Sequence, residues 1–144
     1  MDKQRQGRET MQGLTLVELM VALVIVAVLA SIALPSYQNY ALRGKLVEAF
    51  SALGAAQPNA EQYWASNHTY VGFDQVPANT ANFQYSLSGA SASAYTLTAT
   101  GVGQLSGFVF TINQSGARAT TGVPSGWTSN SSCWVDRKDG SCSQ

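Results

Sequence analysis

Hydrophobic and polar positions divide the chain into stretches of different period. Residues 14–34, LTLVELMVALVIVAVLASIAL, are apolar except at Thr15, Glu18 and Ser31. As a helix, such a run extends about 31 Å, the thickness of a bilayer's hydrocarbon core. After Pro35 polar residues enter and the period becomes helical. Leu42, Leu46, Phe50, Leu53, Ala60 and Trp64 recur at spacings of three, four and seven, which is one stripe of a helix. The stripe predicts a helix to about residue 66, with a bend or break between Gly54 and Pro58. Arg43, Lys45, Glu48 and Glu61 fall on its other faces. Residues 67–82, NHTYVGFDQVPANTAN, lack any period and read as a connecting loop. The period then drops to two. FQYSLS at 83–88 and YTLTAT at 95–100 alternate, FVFTIN at 108–113 alternates less cleanly, and ARAT at 117–120 follows an NQSG turn. Residues 89–94 and 101–107 supply the other turns. The expected architecture is α+β: a long N-terminal helix packed on a small antiparallel meander whose apolar face the stripe at 42–64 covers.

Composition narrows the setting. The 144 residues suffice for one modest domain. Eight Lys and Arg balance eight Asp and Glu, and only Arg118, Arg137 and Lys138 are basic past Lys45. Duplex binding takes many phosphate contacts, so this balance argues against a nucleic-acid partner. Abundant Ser, Thr, Gly, Ala and Asn from residue 66 onward suit an exported β domain. Lys3, Arg5 and Arg8 precede the apolar run, which orients the N-terminus to the cytoplasm and the C-terminus outside. Ala30 and Ser31 imitate a signal-peptidase site, but the run is longer than a signal peptide's apolar core.

Candidate chemistry is sparse. Cys133 and Cys142 in an exported chain read as a disulfide, with two free thiols as the alternative. Two Cys and one His exclude a four-ligand zinc site of those residues. His68 and Asp74 lack a G-x-S-x-G nucleophile, so no catalytic residue, metal or cofactor is assigned. Glu18 stands out, because a carboxylate within an apolar span costs about 2.5–3.5 kcal/mol at mid-span and marks function.

The segment Gly13-Leu14-Thr15-Leu16-Val17-Glu18 resembles the prepilin peptidase site of type IV pilins and type II secretion pseudopilins. The resemblance implies cleavage between Gly13 and Leu14, N-methylation of Leu14, and pairing of Glu18 with a neighbouring subunit's N-terminal amine during assembly. Leu14 stands where most members have Phe. Pro35, twenty-two residues into the mature chain, matches a position where pilin helices loosen. YTLTATG, GFVFTINQSG and GWTSNSSCW are similar to PilE-like minor pilins, and Cys133–Cys142 to their disulfide-closed C-terminal loop. Implied domains are a leader at 1–13, a helix at 14–66 with a transmembrane and filament-core part at 14–35, and a β domain at 67–144. Implied partners are other pilin subunits, prepilin peptidase, the inner-membrane assembly machinery and, before assembly, the membrane itself. The implied role is a minor subunit of an extracellular type IV pilus. A pseudopilin with calcium at Asp136 and Asp139, and a DNA-uptake pilin, are the alternatives.

Overall fold

The computed structural model describes Gly13 and residues 15–143, and it divides the chain into two compact units, Met1–Gln38 and Asn39–Gln144. One helix, α1 (Leu16–Asn67), contributes to both.

In the first unit, α1 buries none of its large apolar residues. Leu16, Leu23, Val26, Leu29 and Ile32 are each more than half exposed. Thr15 caps the helix start. The Glu18 amide donates to Thr15 Oγ1 at 3.2 Å, while Glu18 Oε2 accepts from the Thr15 amide and hydroxyl at 3.5 and 3.4 Å. This reciprocal arrangement is a capping box. Pro35 lies within α1, where its missing N–H leaves the Ser31 carbonyl without its helical donor.

In the second unit, α1 buries Leu46, Ala49, Phe50, Leu53, Ala56 and Ala60. Leu42 packs only partly against the core, and Trp64 stays 38% exposed with its indole N–H donating to the Ala92 carbonyl. Of the bend or break expected between Gly54 and Pro58, the break does not occur: α1 is continuous through it. Pro58 removes one donor, that for the Gly54 carbonyl. Burial of Leu53, Ala56 and Ala60 on both sides of that gap outweighs the loss.

Four strands follow: β1 (Phe83–Ser88), β2 (Thr96–Gly101), β3 (Val109–Asn113) and β4 (Arg118–Gly122). They form an antiparallel sheet in order β1-β2-β3-β4. Each lies within one or two residues of its expected place. Between β2 and β3 a 3-10 turn (Gly103–Leu105) buries Leu105. The Leu105 carbonyl would lie 2.1 Å from a Cβ on Gly101, so only glycine fits there. A bulge at Val109/Phe110 shifts the register of β3 against β4.

Phe83, Tyr85, Leu97, Ala99, Phe110 and Ile112 line the covered face of the sheet. Phe50 joins three layers. Its ring meets Phe110 edge-on at 5.0 Å and stacks on Trp134 of the C-terminal loop at 5.4 Å. Phe50→Ala is expected to cost about 3–5 kcal/mol, while Val47→Ala, exposed one residue from Glu48, stays within about 0.5 kcal/mol. Urea unfolding of the micelle-held chain checks both, and equal effects would show that Phe50 is not the keystone.

Candidate functional site

The site expected at the helix start is partly in view. Gly13 is exposed and non-helical, and Glu18 sits in the first turn of α1, held by Thr15. Leu14, the expected methylated residue, and the leader before Gly13 lie outside the described residues. The capping role of Glu18 was legible in the T-x-x-E spacing but not anticipated.

The two cysteines form the expected disulfide, with Cα atoms 6.3 Å apart, nine positions from one another in sequence. A loop of that length is worth about 2.7 kcal/mol in the chain-entropy treatment. The loop is also tied to β4. Thr120 Oγ1 donates to the Cys133 carbonyl and accepts from the Val135 amide, both at 2.9 Å. Asn130 Nδ2 donates to the Gly140 carbonyl at 2.9 Å. Trp134 Nε1 donates to the Thr111 carbonyl at 2.8 Å, which fixes the indole against β3. Trp127 packs edge-on against Phe108 at 4.8 Å. Both tryptophans are packing residues.

Asp136 and Asp139 do not converge on a cation site. Asp139 accepts from the Ser141 amide and hydroxyl, which holds its carboxyl below the usual range. Asp136 accepts from Ser143. Among the described residues, no group of three His, Cys, Asp or Glu side chains is placed to hold a metal. His68 caps the C-terminus of α1 in the left-handed region, at φ 54, its amide donating to the Trp64 carbonyl at 2.7 Å. Its exposed ring meets Trp64 edge-on, and Asp74 is exposed elsewhere on the loop.

Two glutamates of α1 staple the irregular segment 68–82, a role that sequence spacing did not disclose. Glu48 accepts from the Thr80 hydroxyl and, at 2.7 Å, from Asn82 Nδ2. Glu61 accepts from the Tyr70 hydroxyl at 3.0 and 3.1 Å. The Tyr70 ring in turn meets Tyr95 edge-on at 4.6 Å.

An open groove of about 630 Å³ runs between α1 and the C-terminal loop. Tyr40, Arg43 and Val47 line it from the helix, and Trp134 and Arg137 from the loop. Arg118 of β4 completes it, with its guanidinium 4.4 Å from the centre of the Trp134 ring. Three arginines and one aspartate, Asp136, thus line the same groove. The arginines are 75 and 19 positions apart in sequence, and no spacing rule brings them together.

A capped apolar helix, an antiparallel sheet covered by its second half, and a disulfide-closed loop define a pilin-type subunit. Comparison with known proteins agrees. Residues 10–34 match the family described as the prokaryotic N-terminal methylation motif. Residues 35–108, just over half of the chain, match the family described as type IV minor pilin ComP, DNA uptake sequence receptor. The chain belongs to this type IV pilin family. It is 38% identical over 58 residues to the fimbrial protein EcpC of Eikenella corrodens, covering 40% of this chain and 38% of that one. It is 38% identical over 74 residues to the type IV major pilin protein PilE1 of Neisseria gonorrhoeae, covering 47% and 45%. The matched stretches therefore span less than half of these relatives' length. The crystal structure of the non-core minor pilin PilV from Neisseria meningitidis shares the fold. Its TM-score is 0.53 at 24% identity, over 59% of this chain and 91% of that one.

The buried tyrosines give the domain an alkaline limit. Burial and the nearby Glu61 raise Tyr70 above the ordinary 10.0, and burial with Glu61 raises Tyr95 as well. Burial, helped by Glu48, pushes Tyr85 up to about 12. Raised folded values favour the protonated phenol, so this stability is complete below pH 10 and is lost as pH climbs through the folded values. The melting temperature is expected to fall above pH 10, and less steeply in Tyr70→Phe. An unchanged slope in that variant would show that Tyr70 does not titrate with unfolding.

Proposed function

We propose that the chain is a structural subunit, of the minor class, in a type IV pilus. It is cut after Gly13, methylated on Leu14 and assembled through α1 into an extracellular filament. One observation carries this reading: the methylation-motif match at 10–34 coincides with the part of α1, residues 16–34, that leaves every large apolar residue exposed. So much contiguous apolar surface calls for a bilayer first and sister helices afterwards. That stretch includes Glu18, whose carboxylate Thr15 holds inside the chain until an amine from a neighbour replaces it. The subunit is then single-pass, N-terminus inside, before assembly, and part of the surface filament afterwards. Its partners are other pilins, prepilin peptidase and the inner-membrane assembly machinery.

Intact mass of the protein from sheared filaments tests the processing. The expected species lacks residues 1–13, carries one added methyl and has lost two hydrogens at the cysteines. A mass beginning at Met1 would overturn the reading. Glu18→Val is expected to enter the membrane normally yet to appear in filaments at a small fraction of the wild-type level.

The ComP family match favours a second reading, in which the exported domain also contacts duplex DNA. With Arg118, Arg137 and Lys138 as the basic residues past Lys45, such binding engages few phosphates. The logarithm of affinity should then fall with the logarithm of salt at a slope of about −3. No mobility shift at low salt would remove this reading.

A further inference from the structure

We infer that the groove between α1 and the C-terminal loop receives the connecting segment of a second copy of the chain, with Asp74 of that copy paired to Arg43. The inference rests on the filament reading above and names the surfaces by which two copies meet.

Charge pairs the two surfaces. The acidic side chains of the second unit are Glu48, Glu61, Asp74, Asp136 and Asp139. All but Asp74 are engaged inside the chain: Glu48 by Thr80 and Asn82, Glu61 by Tyr70, Asp136 by Ser143 and Asp139 by Ser141. Asp74 is exposed and makes no hydrogen bond or ion pair among the described residues. The same holds for Arg43, exposed on the helical wall of the groove. Arg118 has partners of its own, the Trp134 ring among them, and takes no part. A guanidinium and a carboxylate left over in this way can form a charge-assisted, two-pronged pair.

Apolar surface matches beside the charges. The Phe73 amide donates to the Tyr70 carbonyl at 3.1 Å and closes a turn with Val71 and Gly72 at its tip. Tyr70 and Phe73 are buried on either side, while Val71 stands 58% exposed three residues before Asp74. A tip anchored at both ends loses little freedom on docking. The groove answers with Val47, 53% exposed and one helical turn from Arg43.

The sheet sets the geometry of the contact. Asn79 and Thr80 bond the connecting segment to β1, and Thr120 of β4 bonds the C-terminal loop. With strand order β1-β2-β3-β4, tip and groove stand at opposite edges of the domain. A two-fold dimer cannot join both patches at once, so one copy's tip enters the next copy's groove. Such a head-to-tail contact repeats, and it builds a ring or an open helical array.

The test uses the full chain in sheared filaments. Carbodiimide, which joins a carboxylate to an amine in contact with it, is applied to Arg43→Lys. The expected product is a ladder of covalent multimers. Its dimer band, but not its monomer band, should yield a peptide joining position 43 to Asp74. Arg43→Glu and Asp74→Arg should each lower the chain's share of the filament roughly tenfold, since like charges then face each other. The two changes together should restore it. Both residues are exposed, so neither change touches the core. A ladder lacking that peptide, full incorporation of either single variant, or no rescue by the pair overturns the docking and leaves the filament reading intact. A join from position 43 to a carboxylate of a different pilin gives the groove to another subunit and overturns the docking as well. Absence of the unaltered chain from filaments overturns the filament reading, and the inference with it.

Discussion

The globular unit depends on the placement of Phe50. Its ring lies against Phe110 of the sheet and Trp134 of the C-terminal loop at once. A helix and a four-stranded meander each have one apolar face, and neither is stable alone in water. Joining them through a single aromatic junction lets a short chain close its core. It also commits the C-terminal loop to that core, because Trp134 cannot leave without uncovering Phe50. The disulfide adds covalent closure to a loop that Thr120, Asn130 and Thr111 already hold.

The long segment between helix and sheet is handled differently. Residues 68–82 have no regular structure, so their backbone groups need other partners. The Tyr70 amide donates to the Ser91 carbonyl and the Thr80 amide to the Phe83 carbonyl, both at 2.9 Å, while Glu48 and Glu61 hold side chains at the segment's two ends. Asn79 Oδ1 ties the segment to β1 by accepting from the Tyr85 amide at 2.8 Å. Burial, and after it these carboxylates, raise Tyr70 and Tyr85. The groups that order the loop thus add to its alkaline limit.

Much of this was readable in advance, for physical reasons. Alternation in FQYSLS and YTLTAT placed β1 and β2 nearly to the residue, because one face of each is buried and the other is not. The helix stripe was recognised at Leu46, Phe50 and Leu53, yet Gly54 and Pro58 were given too much weight. Local breakers lose to burial on both sides of them. Loop chemistry was least legible. Nothing in the spacing of Arg43, Arg118 and Arg137 indicates that they share a groove, since tertiary folding alone brings them together. The capping box is legible in the sequence, since Thr15 stands three residues before Glu18.

That box changes how the cost of Glu18 should be weighed. A lone carboxylate in an apolar helix would favour protonation or displacement toward water. A carboxylate at the third helical position accepts hydrogen bonds from its own helix start and faces the positive end of the helix dipole. The group is thus tolerated before any neighbour arrives. Under the assembly proposed above, an incoming amine would have to exceed Thr15 only modestly, because neutral donors at 3.4–3.5 Å are weak and a charged donor is roughly twice as strong. An intramolecular partner of this kind would hold the charge in the meantime without blocking that exchange, whereas a tighter internal bond would protect the charge better and assemble worse.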